Sequence, residues 1–167
     1  SILEAFKTEN FLEGLARATL FKKDKVKDLL YQVLQIGING VQYVNEFPPH
    51  KAQKIYINYG ARRILDPCAG WGGRMIGAAS IGSFYHGFEP NTETFSGLLK
   101  LGEFLKQFRT GFDFKLENLP FEDADISSHF DVAFTSPPYF NTELYSQEKT
   151  QSCVRYKDFD SWCSGFY

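Results

Sequence analysis

The stretch RILDPCAGWGGR, residues 63–74, decides the fold class of this chain. Its first four residues, with Ile64 and Leu65 at their centre, predict a short β-strand, and the small-residue segment at 74–81 predicts a helix. Glycines at 70, 72 and 73 separate the two elements and permit backbone conformations that other residues rarely adopt. A glycine-rich turn between a strand and a helix lets the backbone approach a bound ligand closely. The stretch therefore predicts an α/β fold with a ligand site at the turn.

The chain beyond this turn repeats the alternation of strands and helices. Short apolar strands are expected at 63–66, 83–88, 112–116 and 130–135, and helices at 74–81 and 91–108. Strands that alternate with helices indicate βαβ units and a parallel sheet. The expected fold is thus a Rossmann-like α/β sheet of four strands.

The residues before the first strand have a different pattern. Apolar side chains three and four positions apart, such as Leu12, Leu15 and Leu20, predict helices in the first 38 residues. Glycines and a proline pair between 36 and 50 mark a break, and 51–59 predicts a short helix. We therefore expect a helical N-terminal extension at 1–46 and an α/β domain at 47–167.

Composition limits the classes of protein that this chain can belong to. Its 167 residues are 43% hydrophobic, 17% aromatic and 23% charged, which excludes a disordered or collagen-like chain. The net charge of −2 argues against a protein that coats nucleic acid through bulk positive charge. With neither a signal peptide nor an apolar run long enough to cross a bilayer, a cytoplasmic protein without membrane contact is expected. The three cysteines, Cys68, Cys153 and Cys163, lack metal-site spacing, so no metal is expected.

Further polar residues follow the predicted strands. The glycine turn lacks the third glycine of the dinucleotide fingerprint, which favours a nucleoside ligand over a pyrophosphate. Glu89 ends the second strand, where its carboxylate can accept hydrogen bonds from both ribose hydroxyls. Glu117 and Asn118 follow the third strand and could flank an adenine ring. These residues predict a nucleotide-like cofactor at the carboxyl edge of the sheet.

The segment TSPPYF, residues 135–140, follows the fourth strand at the same edge. Two successive prolines fix φ and remove two backbone donors, so that the carbonyl groups serve as preset acceptors. Ser136 adds another acceptor, and Tyr139 adds a flat ring. Such a loop can hold an amine on a planar ring, including a base removed from its duplex.

Together, the segments DPCAGWG (66–72) and TSPPY (135–139) resemble the cofactor and catalytic motifs of the S-adenosylmethionine-dependent amino methyltransferases, chiefly the DNA N6-adenine and N4-cytosine enzymes. FPPH (47–50) resembles a further motif of that family, one that touches the methionine part of the cofactor. The resemblance covers about residues 47–162. It implies a class I methyltransferase sheet, normally of seven strands, of which this chain supplies about four.

The resemblance also implies a role for each matching residue. By this resemblance, Asp66 would approach the amino group of the cofactor, and Glu89 would hold its ribose. The Ser136 hydroxyl and the Pro137 carbonyl would accept hydrogen bonds from the target amine, while Tyr139 would stack on the base. With Glu117 and Asn118, which are predicted from their place at the sheet edge, the expected cofactor-binding residues are Phe47, Pro48, Asp66, Pro67, Gly70, Gly72, Glu89, Glu117 and Asn118. The implied catalytic residues are Ser136, Pro137, Pro138 and Tyr139.

Several alternatives remain open at this stage. The family usually has Asp or Asn where this chain has Ser136, so the choice between adenine and cytosine is undecided. RNA or a protein amide could replace DNA as the substrate, and a non-catalytic nucleotide-binding or DNA-binding module is the third reading. Aromatic residues near the end recur at spacings of three and four and predict a buried helix face rather than a stacking surface: Tyr156, Phe159, Trp162 and Phe166.

Overall fold

A computed structural model describes residues 46–140 and 145–166, so the predicted helical extension lies outside the described residues except for Glu46. The boundary expected between 46 and 47 stays a prediction. The elements in chain order are α1 (Pro49–Asn58), β1 (Arg63–Asp66), α2 (Gly73–Ser80), β2 (Phe84–Phe88), α3 (Thr92–Phe108), β3 (Asp113–Glu117), a 3₁₀ turn (Phe121–Asp123), β4 (Val132–Ala133), α4 (Ser152–Arg155) and α5 (Phe159–Phe166).

The four strands form one parallel sheet in the order β3-β2-β1-β4. The predicted α/β class and parallel sheet are confirmed, and this order is compatible with a Rossmann-like fold. The chain runs from β1 outward through β2 to β3 and then returns to the opposite side of β1. Ligands of open α/β sheets bind where the strand order reverses in this way, at the carboxyl ends of the strands. The candidate site is therefore expected between β1 and β4.

The fourth strand is shorter than the predicted 130–135. Only Val132 and Ala133 pair with β1, opposite Ile64 and Leu65. A single further backbone bond at its end joins the Phe134 N–H to the Leu65 carbonyl at 2.9 Å. The prolines at 137 and 138 have no N–H to donate, so a regular ladder could not extend past Ser136.

Local sequence signals explain where the helices begin. Pro49 stands at the first position of α1, where a missing N–H costs nothing. Helix α2 follows Gly72, whose φ of +93° is in the left-handed region. At the start of α3 the Asn91 side chain accepts a hydrogen bond from the Thr94 N–H at 2.8 Å. The strands β1 and β2 are thus each followed by a helix that begins within seven residues, which keeps these two connecting turns short.

The hydrophobic core lies where α1, α2 and α3 pack with the sheet. Its members share near-complete burial and include Ala52, Tyr56, Ile64, Met75, Ala78, Tyr85 and Leu98. None of the helices within the described ranges combines the length and the apolar character needed to cross a membrane.

The aromatic face predicted near the end of the chain is confirmed only in part. Tyr156 lies outside the helices, between α4 and α5. On α5, Trp162 is buried, whereas Phe159 is 58% exposed. The rings of Trp162 and Phe166 stack 5.3 Å apart. The spacing therefore predicted a helix correctly, but fewer of its aromatic side chains are buried than expected.

Candidate functional site

The two loops that the sequence singled out lie beside each other. The glycine turn leaves β1 at Asp66, and the Ser136–Tyr139 loop leaves the neighbouring strand β4. A hydrogen bond links them directly, because the Cys68 N–H donates to Thr135 Oγ1 at 3.0 Å. The structure thus brings the two predicted motifs together at the point where the strand order reverses.

Asp66 is fully buried at the start of the glycine turn. Its Oδ2 accepts hydrogen bonds from Arg74 Nε at 2.7 Å and from the Tyr85 hydroxyl at 2.6 Å. Its Oδ1 lies 3.3 Å from the Cys68 N–H, and Arg74 also donates through Nη2 to the Cys68 carbonyl. Burial, together with the charge of Asp66, raises the pKa of the Tyr85 phenol well above its usual value. The Asp66 carboxylate is therefore bound to the protein's own groups and holds the turn against β2 and α2.

The glycines of the turn are required for two different reasons. Gly70 has a φ of +57°, and a Cβ there would meet only the Cys68 carbonyl oxygen, at 3.9 Å. A Cβ on Gly72 would lie 2.8 Å from Leu101 and 2.9 Å from Leu98, side chains of α3. Gly72 thus combines a left-handed backbone with close leucine side chains, whereas the space beside Gly70 is open and available to a ligand.

The segment before α1 packs against the same turn. A Cβ on Gly73 would overlap the Phe47 carbonyl oxygen, so this glycine allows the backbone at Phe47 to reach the start of α2. The Arg74 guanidinium lies 5.7 Å from the centre of the Phe47 ring. Pro48 follows as the residue that caps α1. Phe47 and Pro48, predicted from the FPPH segment, are therefore placed beside the glycine turn.

Glu89, at the end of β2, reaches the glycine turn from the other side. Its Oε2 accepts from the Gly70 N–H at 3.1 Å, and its Oε1 accepts from the Asn91 N–H at 2.9 Å. Burial raises the pKa of this carboxyl to about 7, although both backbone hydrogen bonds oppose the rise. Each oxygen accepts one hydrogen bond in the structure, and a carboxylate oxygen can accept two. The carboxylate therefore keeps acceptor capacity for a further pair of hydroxyl groups.

The two residues predicted after β3 have different surroundings. Asn118 Nδ2 donates to the Glu89 carbonyl at 2.9 Å, which places this amide next to the Glu89 backbone. The Glu117 carboxylate instead bonds His86 Nε2 and Lys115 Nζ, both at 2.7 Å. The Lys115 ammonium contributes most to holding the pKa of Glu117 below its usual value. The structure therefore places Asn118 in hydrogen-bonding contact with Glu89, whereas the Glu117 carboxylate bonds to other side chains.

The Ser136–Tyr139 loop presents its polar and aromatic groups to solvent. Ser136 is exposed, Pro137 and Pro138 are half-buried, and the Tyr139 ring is 65% exposed. The next residue, Phe140, has a φ of +45°, and its ring lies 5.9 Å from that of Trp162. The loop is thus fixed by packing at its far end, while the groups that could contact a substrate remain accessible.

A segment after the loop returns to the Glu89 side of the site. The Glu148 carboxylate accepts from the Thr92 N–H at 3.1 Å and from the Thr92 hydroxyl at 3.1 Å. The Thr150 hydroxyl donates to the Pro90 carbonyl at 3.1 Å. These contacts could not be predicted from the sequence, because a lone glutamate in a polar segment carries no local signal of where it docks.

Cys68 is the free, half-buried cysteine of the glycine turn. Burial and the nearby Asp66 charge raise the pKa of its thiol to about 12, so it is protonated at neutral pH. A thiol in that state is a poor nucleophile, and the Cys68 backbone N–H is the group that makes the contact with the neighbouring loop.

Comparison with known proteins gives no family assignment. No family model matches the sequence, and no curated protein matches it either. A function for this chain must therefore be argued from its own residues.

Proposed function

We propose that this chain is an S-adenosylmethionine-dependent methyltransferase that acts on the exocyclic amine of a nucleic acid base. The observation that carries the proposal is the position of the two loops. A glycine turn suited to a nucleoside and a Ser-Pro-Pro-Tyr loop suited to a planar amine lie on adjacent strands, joined by the 3.0 Å bond between Cys68 and Thr135. A methyl donor and its acceptor must meet in this way for direct transfer to occur.

The residues around the glycine turn fit the cofactor. Gly70 leaves open space where a side chain would otherwise project, and Glu89 keeps acceptor capacity on both carboxylate oxygens. In this proposal Glu89 accepts from the ribose hydroxyls, Gly70 and Gly72 shape the turn, and Asn118 fixes the Glu89 backbone. Asp66 and Pro67 set the start of the turn, with Phe47 and Pro48 behind it. When bound, S-adenosylmethionine supplies an electrophilic methyl group.

The Ser136–Tyr139 loop supplies the groups that would hold the target amine. The Ser136 hydroxyl and the Pro137 carbonyl accept its two hydrogen bonds, Pro138 keeps the backbone rigid, and Tyr139 stacks on the ring. A serine hydroxyl is not a base at neutral pH. The contribution of this loop is therefore to orient the amine rather than to remove its proton.

The proposed substrate is a DNA base, adenine or cytosine, because an exposed tyrosine beside amine acceptors suits a base turned out of its duplex. The described strands would be the first four of a class I methyltransferase sheet. The cysteines within the described ranges, Cys68, Cys153 and Cys163, are free, which suits a reducing compartment such as the cytoplasm.

Transfer of a tritiated methyl group to DNA, RNA and protein substrates tests the proposal, with nucleoside analysis of the labelled product. We expect label in DNA on adenine N6 or cytosine N4. Label in RNA or protein would keep the enzyme class and change the substrate. Absence of both transfer and calorimetric binding of S-adenosylhomocysteine, the demethylated product, would leave a non-catalytic module and overturn the proposal.

A further inference from the structure

Thr135 stands between the end of β4 and the Ser136–Tyr139 loop. The β4 ladder to β1 is only two residues long, and its last backbone bond is made by Phe134. The following prolines cannot donate to a neighbour. Regular sheet pairing therefore does not determine where the loop lies relative to the glycine turn.

The Thr135 side chain supplies the missing connection. Its hydroxyl accepts the Cys68 N–H at 3.0 Å, a better distance than the 3.3 Å from that N–H to Asp66 Oδ1. The contact joins residues 67 positions apart in the chain, and both are half-buried. Within the described ranges, hydrogen bonding between residues 66–73 and residues 135–140 runs through the Thr135 side chain.

We propose that Thr135 is a positioning residue that sets the distance between the cofactor turn and the amine-binding loop. This inference rests on the proposed function. Thr135 acts through its neighbours, because its hydroxyl holds Cys68 on one side while its backbone carries Ser136 on the other. A hydroxyl is required because a valine of the same shape cannot accept the Cys68 N–H.

Methyl transfer and cofactor binding should respond differently to substitution of Thr135. Thr135→Val leaves Glu89 and Gly70 intact, so affinity for S-adenosylhomocysteine should stay within about threefold of the wild-type value. A displacement of about 1 Å between reacting groups can lower a rate about 100-fold, so kcat for methyl transfer should fall roughly 10- to 100-fold. Thr135→Ser keeps the acceptor oxygen and should restore kcat to within about threefold.

Thr110→Val is the matched control because it makes the same chemical change at an exposed threonine in the turn after α3. It should leave kcat, cofactor affinity and thermal stability unchanged. Amide hydrogen exchange at Cys68 reports the bond directly, without catalysis. Loss of one neutral hydrogen bond should speed exchange about 2- to 10-fold in Thr135→Val and leave it unchanged in Thr135→Ser.

The outcomes are separable. Unchanged kcat in Thr135→Val, or unchanged Cys68 exchange, would overturn the positioning role. So would an equal loss of kcat and cofactor affinity, because it would indicate a general structural defect. If the wild-type protein transfers no methyl group, the proposed function fails, while Cys68 exchange still decides whether Thr135 holds the turn.

Discussion

Replacing Glu89 with glutamine should abolish the pH dependence of cofactor binding that we expect of the wild-type protein. Burial raises the pKa of this carboxyl to about 7, and in the proposed site the ionised form accepts from the ribose hydroxyls. Only protein molecules with a deprotonated Glu89 then bind the cofactor with full affinity. The apparent Kd should exceed its high-pH value about twofold at pH 7 and about 11-fold at pH 6.

The glutamine variant keeps the size of the side chain and removes its charge. A hydrogen bond to a charged group contributes about 1.5–3 kcal/mol, so affinity at pH 8 should fall about 10- to 100-fold. Calorimetric titration with S-adenosylhomocysteine from pH 5.5 to 8.5 measures both effects. The variant is also the control for ionisation of the ligand, because any pH dependence of Kd that it retains comes from groups other than Glu89.

The same carboxyl should influence folding in the free protein. Its pKa is about 7 when folded and 4.5 in an unperturbed glutamate, so the folded state binds more protons between those values. The free energy of unfolding of the wild-type protein should therefore fall by about 3 kcal/mol as pH rises from 4.5 past 7, relative to the change in the glutamine variant. Denaturant unfolding at pH 4.5 and pH 8 measures the difference. A wild-type Kd that is independent of pH, or an equal slope in both proteins, would refute the reasoning.

Three further predictions concern the loops and the buried ion pair. Tyr139→Ala should lower methyl transfer roughly 10- to 100-fold, because it removes the stacking energy of one base on one aromatic ring. Tyr59→Ala, a control at a similarly exposed tyrosine, should leave transfer unchanged in the same assay. Gly70→Ala and Gly60→Ala carry similar positive-φ strain in open space and should lower the melting temperature alike, but only Gly70→Ala should weaken cofactor binding measured by calorimetry. Equal binding by these two variants would contradict the placement of the ligand. Arg74→Met should lower the free energy of unfolding by about 3–5 kcal/mol in denaturant unfolding, because it leaves the buried Asp66 carboxylate without its charged partner. Adding Asp66→Asn should recover part of that loss.

Periodicity and glycine chemistry were enough to predict the sheet and the glycine turn. The strand beginning at Arg63 and the helix after Gly72 were recognisable because both signals are local. The direction of the Glu117 side chain was also readable in principle. Alternate residues of a strand face opposite sides, and Glu117 shares its side with Lys115 rather than with the core-packed Leu116.

Contacts between distant segments could not be predicted in this way. The pairing of Asp66 with Arg74 and Tyr85 depends on how β2 and α2 meet, which no local pattern encodes. The docking of Glu148 on Thr92 spans 56 positions and follows no spacing rule. Thr135 lay within the segment quoted for its prolines, yet its role is visible only once β1 and β4 are adjacent.

The left-handed backbone at Phe140 has a consequence for α5. This conformation costs a residue with a Cβ about 1–2 kcal/mol, and glycine or asparagine would tolerate it better. The aromatic ring offsets that cost through its contacts with Phe159 and Trp162, each 5.9 Å from it. Helix α5 therefore supports the loop through these contacts, and in the proposed site the position of the amine-binding groups would depend on the packing of Phe159 and Trp162.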